Sequence, residues 1–148
     1  MSSSVSPELR RLVARRADGL CEYCLIHESD TFLGCEVDHV ISQKHGGLTT
    51  PDNLAYACVY CNRAKGSDVG SITPTGDFSR FFHPRTDLWP DHFELHDVTI
   101  IPRTHVGDVT LRILAFNILE RLVERQALAL AGRYPSAPAA IRMRRLTV

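Results

Sequence analysis

Two Cys-x-x-Cys pairs, Cys21/Cys24 and Cys58/Cys61, constrain this chain more than any other feature. Together they read C-x2-C-x33-C-x2-C. Each pair supplies two thiols from one tight turn, and four soft thiolates suit a tetrahedral Zn²⁺ ion. A site closed by four sulfurs leaves no position for water or substrate, so its expected role is structural. Cys35, the fifth cysteine, lies in a strand-like segment and reads as a small buried hydrophobe. The odd count speaks against a disulfide framework, as does a polar and then basic N-terminus with no apolar signal core. Spacing alone leaves an iron–sulfur cluster open, and also cysteines that simply pack in a core.

The 148 residues suffice for one domain with a modest core. No apolar run is long enough to span a membrane, so the expectation is a cytoplasmic protein with no membrane partner. Lys+Arg and Asp+Glu balance at 17 each, which excludes a global attraction to nucleic acid. The charge is uneven, however. Arg10, Arg11, Arg15 and Arg16 crowd the first twenty residues, and Lys44, Arg63 and Lys65 face only Asp52 over 42–66. Arg133, Arg142, Arg144 and Arg145 occupy 132–148 with no acid among them. Such patches bind phosphates, or they are solvated faces.

Ser6-Pro7-Glu8 is a helix start, with Ser at the N-cap and Pro at the first helical position. That helix is expected to reach about residue 17. "FLGCEVDHVIS" has strand character, "QKHGGLTTPDN" is a loop, "LAYAC" is a short strand and "VYCNRAK" starts a short helix that Gly66 ends. Residues 67–77 read as a loop, and "FELHDVTII" reads as a hairpin. A long helix is expected from Asp108 to about Ala131, carrying the stripe Leu111, Leu114, Ala115, Ile118 and Leu122. Ile113, Phe116, Leu119 and Val123 add a second apolar flank, which calls for burial on more than one side or for a partner; a homodimer or an unknown protein partner stays open. The organisation is therefore one α+β domain: an N-terminal helix (1–20), a cysteine-bounded core (21–66), a hairpin with a long helix (67–131) and a mobile basic tail (132–148).

If a metal ties residues 21–24 to residues 58–61, the segments between them are drawn into one unit. Asp38-His39, the Asn53 loop and the Asn62 helix then converge. The order Cys-x-x-Cys, Asp38-His39, Gly46-Gly47, Asp52-Asn53-Leu54, Cys58-x-x-Cys61-Asn62-x-x-Lys65-Gly66 closely resembles the HNH endonuclease family, in its zinc-knuckle subgroup. The segment "FFHPRTDLWPDHF" and the helix after it also look like the downstream region of stand-alone bacterial HNH proteins.

The resemblance implies a ββα-metal (His-Me finger) fold: two antiparallel strands and a helix gripping one divalent ion. It implies that His39 is the general base, that Asp38 and Asn62 are ligands of the catalytic ion, and that Asn53 braces the loop and helps orient the histidine. Asn62 stands where many members carry a final His, so the chain is an H-N-N variant. An oxygen-only donor pair favours Mg²⁺ or Mn²⁺ over Zn²⁺ at that site. A neutral imidazole can take a proton from water at working pH, and the expected substrate is DNA. Lys44, His45, Arg63 and Lys65 are candidate nucleic-acid contacts, and His83 and Arg85 either reach the site or cap loop carbonyls. Three rivals remain: a non-catalytic zinc module that binds nucleic acid, an RNA-directed nuclease, and a redox protein using its Cys-x-x-Cys pairs.

Overall fold

A computed structural model describes residues 4–144. The first helix, α1 (Pro7–Arg16), starts as expected: the Ser6 side chain accepts from the Leu9 N–H at 3.1 Å, and Pro7 opens the helix. Val13 and Ala17 of this segment pack on Leu54 and Tyr56. The chain then makes the first cysteine turn, in which Cys21 N–H donates to Ile26 O and Leu25 N–H donates to Cys21 O.

Strand β1 (Cys35–His39) and strand β2 (Leu54–Cys58) pair antiparallel, with Asp38 opposite Ala55 and His39 opposite Leu54. Helix α2 (Val59–Lys65) follows β2 directly, which completes the ββα order. All five residues of β2 are buried, because α1 covers one face of the pair and α2 the other end.

Residues 67–77, expected to be a loop, contribute instead to a hairpin of β3 (Gly70–Ile72) and β4 (Phe78–Arg80). These strands are only three residues long and contain no buried residue, so no alternating apolar pattern marks them. After the short helix α3 (Trp89–His92), the expected hairpin is present as β5 (Phe93–His96) and β6 (Thr99–Pro102). Phe93 sits at the centre of an aromatic cluster, with ring centroids 5.1 Å from Trp89, 5.4 Å from Phe82 and 5.6 Å from Phe116.

The single long helix is a misreading. The segment forms α4 (His105–Ile113) and α5 (Leu119–Leu130), separated by a turn in which Ala115 adopts a left-handed φ of 54°. Tertiary hydrogen bonds outweigh the helical periodicity here. Asn117 pairs with both backbone groups of Ile100 on β6, accepting from its N–H at 3.1 Å and donating to its carbonyl at 2.8 Å. The carbonyls freed by the break are taken by arginines from α5: Arg121 bonds Leu114 O, and Arg125 bonds Phe116 O. The expected second buried flank is only half buried, since Phe116 is fully buried while Leu119 and Val123 are 72% and 60% exposed.

The expected mobile tail is partly a helix. Ser136 caps α6 (Ala137–Met143), and the buried Tyr134 hydroxyl donates to Cys24 O at 2.9 Å. Arg145 and the three residues after it lie outside the described residues. The main core cluster contains the four paired cysteines together with Phe82, Trp89, Phe93, Ile100, Phe116 and Tyr134, so residues from both halves of the chain share it.

Arg125 is the test of this arrangement. It is 2% exposed and donates to Val98 O at 2.7 Å, Phe116 O at 2.7 Å and Asn117 Oδ1 at 2.8 Å. Arg125→Leu leaves the buried Val98 and Phe116 carbonyls without donors and is expected to lower stability by about 3 kcal/mol or more, read as a lower urea midpoint at unchanged m-value.

Candidate functional site

Cys21, Cys24, Cys58 and Cys61 are all buried, and their sulfurs lie within 4.8 Å of one another. Cys24 and Cys58 sulfurs stand 3.8 Å apart, and a tetrahedron of sulfurs with Zn–S bonds of about 2.3 Å has edges of about 3.8 Å. In each turn the second cysteine's N–H points at the first cysteine's sulfur, Cys24 to Cys21 and Cys61 to Cys58, both at 3.5 Å. Burial pushes Cys21 and Cys61 well up, while hydrogen bonding from the Cys21 thiol, then from Cys58 and Cys61, holds Cys24 well down. Only a cation lets four thiolates share this volume. The donor set and its geometry fit zinc, and Cys35 stays outside the cluster with its thiol pushed up to about 12 by burial.

A second site lies at the far end of β1. Asp38, His39 and Asn62 line one depression of about 260 Å³, together with Ser42, Gln43 and Ser67. Neighbouring strand residues point to opposite faces, but His39 is the last residue of β1, where the chain turns. His39 Nε2 bonds the Thr49 hydroxyl at 2.9 Å. Thr49 sits in a loop that Asn53 holds: its Oδ1 accepts from Ile41 N–H at 2.9 Å, and its Nδ2 donates to Ile41 O at 3.0 Å and Leu48 O at 2.8 Å. Gly47 is required in this loop, because a Cβ there would stand 1.7 Å from Ile41 O. Asn53 therefore acts on backbone and reaches His39 only through the loop.

Asp38 is 5% exposed and held at both oxygens. The Tyr23 hydroxyl donates to Oδ2 at 2.8 Å, and the Lys65 ammonium lies 3.2 Å from Oδ1. Burial pushes its carboxyl above the usual range, opposed first by the Lys65 charge and then by the hydrogen bonds from Tyr23 and Lys65. Asn62 Nδ2 donates to Glu36 at 2.9 Å, which leaves its Oδ1 as the donor for a cation.

Lys65 corrects an expectation. It was expected to touch nucleic acid, but it is 1% exposed, paired with Asp38 and bonded to His39 O at 2.9 Å. It has no surface to offer a phosphate. Lys44 and His45 are exposed on the turn that follows Ser42. Arg63 is also exposed, but it borders a separate apolar pocket of about 300 Å³ with Phe32, Tyr60 and Ile118. Arg85 caps structure rather than the site: it pairs with Glu22, whose other oxygen accepts from Tyr56 N–H. His83 likewise turns to its own loop, accepting from Arg85 N–H.

Sequence reasoning missed Tyr23, Thr49, Glu36 and Arg121. Arg121 Nη2 lies 3.2 Å from the Cys61 sulfur and 3.8 Å from that of Cys58. None of these stands in a local motif, and only Tyr23, between two cysteines, sat where a signal could be sought.

Among known families, the one described as HNH endonuclease matches residues 21–68. Comparison with curated proteins and with solved structures gives no match.

Two outcomes are expected here. Stripping the metal with a strong chelator should unfold the cysteine-bounded segment, and Cys61→Ser should copy the effect with the chelator absent, both followed by circular dichroism alongside zinc content. Lys65→Met should cost about 3–5 kcal/mol by stranding a buried carboxylate, and adding Asp38→Asn should recover part of that loss in a double-mutant cycle.

Proposed function

We propose that this chain, whose residues 21–68 match the HNH endonuclease family, is a metal-dependent endonuclease hydrolysing phosphodiester bonds of DNA. The observation that carries the reading is the convergence of Asp38, His39 and Asn62 on one depression, with the histidine ring already oriented. With Nε2 bonded to Thr49, Nδ1 is the nitrogen that takes a proton from the attacking water. Thr49 and Asn53 are positioning residues, since each acts on the site through His39 or its loop.

Asp38 and Asn62 would hold the divalent ion, and the donors fit it. A carboxylate offers about four lone-pair sites. Tyr23 and Lys65 engage one on each oxygen, so one on each remains. When bound, a Mg²⁺ or Mn²⁺ ion supplies charge relief on the scissile phosphate and on the leaving 3′ oxygen. Lys65 shares the carboxylate with that ion, so affinity is expected to be weak until phosphate oxygens complete the shell. Exposed Lys44 and His45 flank the depression in sequence and are the proposed backbone contacts; Arg63 is the weaker candidate because it borders another pocket.

One observation favours a second reading. The Lys65 ammonium already neutralises Asp38, which suits a zinc-stabilised nucleic-acid-binding module that does not cut.

Plasmid nicking separates the two readings. With Mg²⁺ or Mn²⁺ the wild-type chain is expected to nick supercoiled DNA, and EDTA should stop it. His39→Ala should lose about 10²–10⁴-fold in rate while keeping its zinc and its melting curve. Binding without nicking would favour the module, equal nicking by the variant would remove His39 from the base role, and cleavage of RNA alone would change the substrate.

A further inference from the structure

Arg121 keeps its charge at any working pH, yet it is 3% exposed. A buried cation is costly unless an anion and hydrogen-bond acceptors surround it. Its acceptors are two carbonyls, Leu114 O at 2.8 Å and Ala115 O at 3.3 Å, and two sulfurs, Cys61 at 3.2 Å and Cys58 at 3.8 Å. No carboxylate is among its partners in the described residues. The rings of Tyr60 and Phe116 stand over the guanidinium at 5.5 Å and 5.7 Å. The sulfurs are the groups in direct contact able to carry the balancing negative charge, with the Glu124 carboxylate acting on Arg121 from farther off. Four thiolates around a divalent ion have two negative charges in excess, and one guanidinium offsets half of that.

We infer that Arg121 is the counter-cation of the metal–thiolate centre, and that through it α5 is docked on the HNH domain in proportion to metal occupancy. Arg121 lies outside residues 21–68, so the contact joins two parts of the chain. The guanidinium bonds the same two sulfurs that would ligate the ion, so the contact and the ion share those atoms. Conversely, removing Arg121 takes a cation and a hydrogen-bond donor away from the sulfurs and weakens the hold on the ion. This inference rests on the metal reading of the four cysteines and is independent of whether the chain cuts nucleic acid.

Cobalt replaces zinc as a spectroscopic probe. The wild-type chain is expected to take up one Co²⁺ and show a sulfur-to-cobalt charge-transfer band. Arg121→Met is expected to bind the ion about 10–100-fold more weakly in chelator competition. Its band should move to lower energy, because a hydrogen-bond donor and a cation have left the sulfurs. Arg121→Lys keeps the charge but loses the fork, so it should fall between the two; it also supplies the readout if the methionine variant does not fold. Arg125→Met, a buried arginine of the same helix that bonds no sulfur, should lower stability and leave the band and affinity in place. An unchanged band and affinity in the Arg121 variants, or equal shifts in the Arg125 control, would overturn the inference. A wild-type chain that takes up no cobalt would overturn the metal reading beneath it.

Discussion

Four buried sulfurs within 4.8 Å of one another set the terms for everything else in this chain. Holding Cys21/Cys24 against Cys58/Cys61 closes a loop of 33 intervening residues. The hairpin made within that loop has only two strands, and an isolated two-stranded hairpin is marginally stable at best in water. A metal held by these sulfurs would supply a cross-link to this short segment. The sulfur site is also one of the points where the downstream half attaches, since Tyr134 bonds Cys24 O and Arg121 bonds the Cys58 and Cys61 sulfurs.

From that scaffold, two chains of contacts lead to the depression at the end of β1. One starts in the aromatic cluster. Trp89 Nε1–H donates to Tyr23 O at 2.8 Å, and the Tyr23 hydroxyl holds Asp38. The other runs through backbone: Asn53 fixes Ile41 and Leu48, and Thr49 beside Leu48 holds the His39 ring. Lys65 joins the two by bonding both Asp38 and the carbonyl of His39. The acid is oriented by side-chain packing and the histidine ring by loop geometry, with Lys65 linking the two. A substitution in the downstream half can therefore reach Asp38 without touching the loop that holds His39.

The parts of this structure that sequence makes legible are those encoded locally. The cysteine spacing, the Ser6-Pro7 helix start, the short helix ended by Gly66 and the "FELHDVTII" hairpin all depend on near neighbours. What was missed depends on distant ones. Helical periodicity runs unbroken through residues 111–123, but Asn117 on Ile100 and the two buried arginines reward a break that periodicity cannot register. Lys65 looked like a phosphate ligand because a lysine is usually solvated, and only the fold shows Asp38 waiting for it. Tyr23, Thr49 and Arg121 carried no motif because their partners lie 15, 10 and 60 or more residues away in sequence.

The account stands on metal ligation by four cysteines, and X-ray absorption at the zinc edge of the purified chain addresses that directly. Four sulfur neighbours at about 2.3 Å, with no nitrogen or oxygen in the coordination shell, is the predicted result. A shell containing histidine nitrogen or water oxygen, or a protein whose cysteines are paired as disulfides, would contradict it.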